Sequence, residues 1–588
     1  MSKQLSLLCP DREEKLHKLS QTAIHDLGMD SIIGKLSDKP KEREYIRNVM
    51  RFLPADPHTV QYRCDVFDDL HHNLSVRKKL LEILDQIDFM KDYITHDLDS
   101  DAGAFDLLDR MCDIGEYIQC IEAIYSCFKD ADIHSEGLLA LRDYVTRLYT
   151  DNGFAGMKKD IDGLRADTSN LRSVTLGVNL NQSFKAESVG VISLNDRPFT
   201  KAGIVSNFVS QMAARDDQLQ HGTDWNENYT YQPIDAGSEA AKKDLRAAVV
   251  PPIALATLMT VPENEESIRS LPDYMNDIAN RMLKRTVRHL RSVLNKYSMV
   301  TVTSITSLMP ELIYYVRWAE YIEKLEAEGY HFAKPKVSNS AMDARGIYNL
   351  KLAALDNCRV SDIVTNDLDF LPEHRIYILT GANRGGKTTI TQAVGQLYFL
   401  AQGGISVPAD SFHFQPVDGI FTHFPADEDK TMELGRLGEE CRRFRSIFEG
   451  ATERSLLLLN ETFSTTSFEE GYYIARDAVR AMLHKGCRVI YNTHMHKLAR
   501  EIDEINRESA EDTPPASAAS SAGAKASPHR AESSAGAKAA PYQAASLVVE
   551  SEEGVRSYRV KIAPPEGLSH ASDIAKKYGV TYEELVRC

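Results

Sequence analysis

Nine consecutive residues, Gly381, Ala382, Asn383, Arg384, Gly385, Gly386, Lys387, Thr388 and Thr389, contain the pattern G-x-x-x-x-G-K-[ST]. Glycines in such a loop permit the dihedrals that turn successive N–H groups inward around a triphosphate. The lysine ammonium reaches the β and γ phosphates, and the Thr388 hydroxyl holds Mg²⁺. A helix starting at about Lys387 adds the positive end of its dipole to the same anion. The ligands expected are therefore a nucleoside triphosphate and Mg²⁺. The bare pattern also arises by chance; here an apolar run over 376–380 precedes it and a helical stretch follows, which is the context the chemistry needs.

Two further positions carry polar groups at the ends of apolar runs. Residues 456–459 are four leucines, followed by Asn460 and Glu461. A carboxylate placed there beside the loop can polarise the water that attacks the γ phosphate. The blander reading is a core strand whose end happens to be polar. Asn460 stands where an aspartate would support Mg²⁺ through water; an amide accepts a hydrogen bond but brings no charge. The run 488–492 is followed by Thr493 and His494. At a strand tip His494 can sense the γ phosphate, although an isolated histidine is more often structural. His496 lies two residues on, and with no further ligands the pair makes no zinc site. Glu461 and His494 are thus the candidate catalytic residues, and Thr388 and Asn460 the candidate metal contacts.

The elements that must position these groups follow from the hydrophobic pattern. From Arg375 onward short apolar runs alternate with helical stretches, which implies a parallel sheet. Residues 1–150 read as helix after helix, with apolar spacing of i, i+3, i+4 and i+7 in segments such as 76–88. The texture changes at 173–180 (SVTLGVNL) and 187–194 (ESVGVISL), which alternate as a pair of strands. Helical pattern returns over 262–328, and short strand-like runs appear over 337–364. Residues 509–545 are Ala, Ser, Gly, Pro and Lys, with SSAGAKASP at 520–528 echoed by SSAGAKAAP at 533–541. Such a segment buries too little surface to offset its ordering entropy and is expected to be a disordered insertion. A hairpin over 546–550 and 556–562 and a helix from about Ala571 close the chain.

Length and composition bound the answer. A chain of 588 residues implies three to four domains, and 43% hydrophobic with 26% charged content is that of an ordinary globular protein. The longest apolar stretch, 249–261, is interrupted by Pro251 and Pro252 and is too short to span a bilayer. The amino terminus lacks the features of a secretory signal, and nine scattered cysteines form no C-x-x-C pair, so a cytoplasmic protein with no membrane role is expected. A net charge of −16 is the wrong sign for coating nucleic acid. Any DNA contact must rest on a local basic surface. Arg281, Lys284, Arg288 and Arg291 share one helical face with Arg285 beside it, and such a stripe can track a phosphate backbone. The ordinary alternative is a solvated helix face.

The segments TGANRGGKTT (380–389), LNETFSTTS (459–467) and NTHMHKL (492–498) resemble the three ATPase motifs of the MutS DNA mismatch-repair family, and AQGGISVPA (401–409) is similar to the segment that follows the phosphate loop there. Order and spacing agree. The resemblance covers about 340–508 and 546–588; the helical region upstream resembles the family in texture only. It implies a multidomain α and α/β protein: a helical core (1–150), lever helices with a small β clamp insertion around 170–200 (151–335), and a P-loop, ABC-like α/β ATPase domain (336–588). It also implies a homodimer formed through that domain, with nucleotide between subunits. Residues 462–467 would lie in the shared interface, and 435–440 in a loop crossing to the partner's nucleotide. The implied function is ATP-dependent DNA binding of the mismatch-repair or recombination type.

Several positions depart from the family pattern. No mismatch-reading domain with its Phe-x-Glu wedge is visible, nor a nuclease-like tail. Asn460 replaces the usual aspartate and Gly435 a trans-acting serine. Ile363 falls where an aromatic usually stacks on adenine, so base stacking is expected either from Tyr348 or to be weak. Two other readings stay open. Asn460 and the missing wedge favour a weakly hydrolysing clamp for branched DNA, and the acidic net charge favours an ATPase acting on ribosomes or protein partners.

Overall fold

The computed structural model describes residues 5–10, 16–86, 104–168, 173–180, 182, 186–195, 284–297, 308–355, 358–381, 385–425, 435–511, 542–552 and 555–565. Contacts divide the chain into two compact units, one of 1–90, 130–142 and 307–588, the other of 91–129 and 143–306. The first ninety residues fall in the same unit as the α/β region.

Those residues are not purely helical. Strand β1 (Leu16–Lys18) pairs antiparallel with β2 (Phe52–Pro54). Around them lie α1 (Gln21–Asp26), α2 (Met29–Ile33), α3 (Pro40–Met50), α4 (Pro57–His72) and α5 (Leu74–Gln86). The starts of α1 and α4 carry ordinary caps: the Ser20 hydroxyl accepts from the Ala23 N–H, and the Asp56 carboxylate from Thr59, with Pro57 in the first turn.

In the second unit, α6 (Ala104–Phe128) packs with α8 (Asn152–Thr168); α7 (Glu136–Thr150), between them in sequence, has residues 136–142 in the first unit and the rest in the second. Strands β3 (Ser173–Leu180) and β4 (Ala186–Asn195) form an antiparallel pair within a residue of the boundaries that the alternation predicts. Helix α9 (Lys284–Leu294) packs on α6 and α8 through buried Val287, Leu290, Val293 and Leu294, while the Asp160 carboxylate receives Lys296 at 3.1 Å and the Tyr297 hydroxyl at 2.8 Å.

The first unit resumes with α10 (Met309–Ala327). A four-stranded sheet follows, made of β5 (Lys336–Val337), β6 (Met342–Ile347), β7 (Asn366–Phe370) and β9 (Ser411–Phe414) in the order β5-β9-β6-β7, with the short α11 (Leu350–Ala353) between β6 and β7. A six-stranded sheet combines β8 (His374–Thr380), β10 (Ile420–His423), β11 (Leu456–Asn460), β12 (Arg488–Asn492), β13 (Gln543–Glu552) and β14 (Val555–Ile562) in the order β10-β11-β12-β8-β13-β14. It is parallel from β10 to β13, and β14 returns antiparallel. The connecting helices are α12 (Lys387–Gln402), α13 (Gly435–Gly450), α14 (Phe468–Lys485), α15 (His496–Arg500) and α16 (Ile502–Glu511). Helix α16 runs into the low-complexity region and β13 begins before its end, so ordered structure reaches further in at both ends than the composition break at 509 and 545. Residues 512–541 and the expected last helix lie outside the described residues.

Both faces of this sheet are covered, so its central strands are unbroken apolar runs rather than alternating ones. Leu457 and Leu459 pack with Ala475, Val479 and Met482 of α14. Leu458 points the other way, where a Cβ on Gly395 of α12 would come within 2.6 Å of its side chain. The same glycine admits Leu27, which would lie 2.3 Å from that Cβ. Helix α12 is buried along most of its length although it carries three glutamines, because the amides of Gln392, Gln396 and Gln402 donate to the carbonyls of Asp26 (2.7 Å), Leu27 (2.8 Å) and Pro54 (2.6 Å). These bonds make the amino-terminal turns one compact unit with the α/β region. Among the described residues no helix is long and apolar enough to cross a membrane.

Candidate active site

Parallel pairing brings the carboxyl ends of three strands to one edge. Asn460 pairs with Asn492, and Asn492 with Leu379. The ladder runs one step further, the Glu461 N–H donating to the Asn492 carbonyl (2.9 Å) and the Thr493 N–H to that of Leu379 (3.0 Å). Gly381, Glu461 and Thr493 therefore leave the sheet side by side, where open α/β sheets bind ligands.

A cavity of about 740 Å³ opens there, lined by Lys387, Thr388, Glu461, His494, Ile363 and Tyr558 among others. Gly381 and Gly386 bound the loop with φ of +147° and +89°, and a Cβ on Gly386 would lie 3.3 Å from the Tyr558 ring. Ala382, Asn383 and Arg384 lie outside the described residues. Lys387 is buried, its Nζ donating to the Gly381 carbonyl at 3.1 Å. Burial holds its pKa below the usual lysine value, against the opposing pull of the Glu461 carboxylate. A buried ammonium with a hydrogen-bonded carbonyl at its tip suits a polyanion. Thr389 is half-buried, its carbonyl accepting from the Asn349 amide at 2.9 Å.

The Thr388 hydroxyl donates to Asn460 Oδ1 at 3.1 Å. Sequence reasoning missed Asn492. Fully buried at the end of β12, it donates its amide N–H groups to Asn460 Oδ1 and to Thr388 Oγ1 (3.4 Å), while its own Oδ1 is buried without a hydrogen-bond partner. One hydroxyl and two amides, all neutral, thus meet at the expected metal position. Of these groups the Thr388 hydroxyl and Asn460 Oδ1 are oxygen donors that suit a hard cation such as Mg²⁺, with Asn492 holding both by its amide N–H groups and the negative charge left to a nucleotide's phosphates.

Glu461 and His494 meet, with Glu461 Oε1 and His494 Nε2 2.9 Å apart. Thr493 is buried and its hydroxyl accepts from the Met495 N–H (3.1 Å), so His494 is the residue of that turn that faces outward. Glu461 has φ +54° and Phe463 φ +65°. Each left-handed L-residue costs about 1–2 kcal/mol, and such strain persists only where the surroundings over-determine the backbone.

Two tyrosines line the cavity. Tyr348 is one of them, largely buried, its hydroxyl donating to the His331 carbonyl (2.9 Å) and its ring packed near Tyr330 and Phe332. The aromatic with an open face on the cavity is Tyr558 of β14, 46% exposed and at φ +58°. The Asn366 amide grips its backbone from both sides, donating to the Tyr558 carbonyl (3.2 Å) and accepting from the Val560 N–H (2.8 Å). No local signal links residues so far apart in sequence.

Residues 435–440, expected as a crossing loop, are the first turns of α13. Glu440 folds back within its own chain and accepts from the Thr465 hydroxyl at 3.0 Å. Residues 464–467 are mostly exposed. In the basic stripe, Arg281 lies outside the described residues, Lys284 opens α9, Arg288 is exposed and Arg291 half-buried.

Strand order and element content define a multidomain protein that joins helical segments to a mostly parallel α/β sheet covered on both faces. A family model described as MutS domain V matches residues 377–542, and one described as MutS2 N-terminal domain matches 55–328. The DNA mismatch repair protein MutS of Symbiobacterium thermophilum is 37% identical over 128 residues, 21% of this chain and 14% of that protein. The protein of the same name from Chlorobium chlorochromatii is 36% identical over 142 residues, 24% of this chain and 16% of the relative. The match therefore spans a small part of these relatives' length. The chain belongs to the MutS family.

Proposed function

We propose that the protein is an ATPase that couples ATP binding and hydrolysis to clamping DNA, a function of the mismatch-repair or recombination type. The carrying observation is the 2.9 Å contact of Glu461 with His494 on the cavity that also holds Lys387 and Thr388. Residues Gly381 to Thr389 bind the phosphates, Lys387 reaching the β and γ groups. The Thr388 hydroxyl and Asn460 Oδ1 would hold Mg²⁺, oriented by the Asn492 amide, and the ion would supply charge neutralisation for the phosphates. Glu461 orients the attacking water and accepts its proton, and His494 orients that carboxylate and senses the γ phosphate. Tyr558 and Ile363 flank the base. The active form is a dimer through the α/β domain, located in the cytoplasm, with Arg281, Lys284, Arg288 and Arg291 contacting the DNA backbone.

Steady-state ATPase assays of wild type and Glu461→Gln, with mismatched, branched and plain duplex DNA, test this reading. Expected are modest turnover, its loss in the variant, and a rate altered by DNA. The neutral amides at 460 and 492 favour a second reading, a clamp that hydrolyses slowly; tight Mg-ATP binding with almost no turnover selects it. Hydrolysis unaffected by any DNA, without salt-dependent DNA binding, points instead to protein or ribosome partners.

A further inference from the structure

Thr462 sits between the two left-handed residues Glu461 and Phe463, and it is fully buried. Its carbonyl accepts from the Tyr491 hydroxyl at 2.7 Å, and its hydroxyl lies 3.0 Å from His423 Nδ1. The other imidazole nitrogen, Nε2, faces the Glu440 carbonyl at 3.3 Å. A carbonyl only accepts, so Nε2 carries the hydrogen; in the neutral ring Nδ1 is then an acceptor and the Thr462 hydroxyl donates to it. Burial and the nearby Arg443 guanidinium keep that ring neutral, and burial keeps Tyr491 a protonated donor.

These bonds hold a strained turn from both sides. Before Glu461 Cα, its own N–H is tied to the Asn492 carbonyl. After it, the carbonyl and hydroxyl of Thr462 are both engaged, and the Phe463 ring is buried edge-on against Phe444 of α13, 5.3 Å between centroids. With the backbone fixed on either side, the Glu461 Cα–Cβ direction is fixed too, and the contact with His494 at 2.9 Å sets where the carboxylate ends. Strand β12 supplies Tyr491 to this clamp and runs directly into His494, so one strand sets both halves of the carboxylate–imidazole pair.

We infer that Thr462, clamped by Tyr491 and His423, is a positioning residue for Glu461: it holds a left-handed backbone that aims the carboxylate at His494 and the cavity. The inference rests on the ATPase reading above. It predicts a loss confined to the chemical step, because none of the three residues lines the cavity.

The test compares Tyr491→Phe, Thr462→Val and Thr462→Ser with wild type and Glu461→Gln, measuring kcat, KM, affinity for a fluorescent ADP analogue and thermal midpoint. Misplacement of a catalytic group by about 1 Å costs up to about a hundredfold. Tyr491→Phe and Thr462→Val should lower kcat at least about tenfold, with ADP affinity and midpoint near wild type, and Thr462→Ser should recover most of the rate. Wild-type kcat in both Tyr491→Phe and Thr462→Val overturns the inference. So does a parallel loss of rate, ADP affinity and midpoint, which marks a merely structural role. If Glu461→Gln itself keeps full turnover, the ATPase reading fails first and the positioning role goes with it.

Discussion

The neutral His423 makes a quantitative prediction about acid stability. Its imidazole is buried at the end of β10 beside the Arg443 guanidinium, and burial pushes its pKa down from 6.5 to about 4. The unfolded chain takes up the proton near pH 6.5, whereas the folded chain refuses it until about pH 4. Stability is therefore complete above the unfolded value and is lost as the pH falls towards the folded one. The gap is worth about 3 kcal/mol in full, of which about 2 kcal/mol is lost between pH 7 and pH 5. Urea titrations followed by the buried Trp318, one of two tryptophans in the chain, report on the unit that holds His423. Carboxylates titrate in the same range, so the quantity to measure is the difference between wild type and His423→Gln, which cannot be protonated. Wild type should lose about 2 kcal/mol more than the variant over that interval. Equal pH slopes would refute the reasoning, since they would mean that the imidazole accepts its proton in the folded chain as readily as in the unfolded one.

Three further outcomes are expected. Replacing Phe463 by glycine relieves a left-handed residue worth about 1–2 kcal/mol but removes a buried ring worth about 3–5 kcal/mol; the ring wins, and chemical denaturation should register a net loss of about 2 kcal/mol. Asn460→Asp adds a carboxylate beside the Thr388 hydroxyl, so half-maximal nucleotide binding should need several-fold less Mg²⁺; an unchanged Mg²⁺ titration counts against a metal at that position. Tyr558→Ala should weaken ATP binding by about tenfold while leaving inorganic tripolyphosphate unaffected, because a ring packed on the base contributes nothing to bare phosphates. Calorimetric titration with both ligands separates a base contact from a phosphate contact.

What could be read from the chain alone was whatever is encoded locally. The glycine spacing of 381–386 needs no distant partner to suggest a phosphate loop, since the dihedral freedom lies in the residues themselves. The leucines at 456–459 and the run at 488–492 declare buried strands by composition, and their polar successors, Glu461 and His494, follow from where a strand stops. The alternation at 173–180 and 187–194 located the β3–β4 pair because period two belongs to the strand. Tertiary structure decided everything that depends on which distant residues meet. Register set Asn492 beside Asn460 and Thr388, the returning β14 brought Tyr558 over Gly386, and the Tyr348 ring came to the same cavity packed near Tyr330 and Phe332. The glutamines of α12 show the same limit: a polar residue in a helix reads as exposed until the carbonyls of Asp26, Leu27 and Pro54 are found satisfying it. Periodicity and loop chemistry are properties of a few neighbouring residues, whereas hydrogen-bond partners and packing faces are properties of pairs that the chain brings together only on folding.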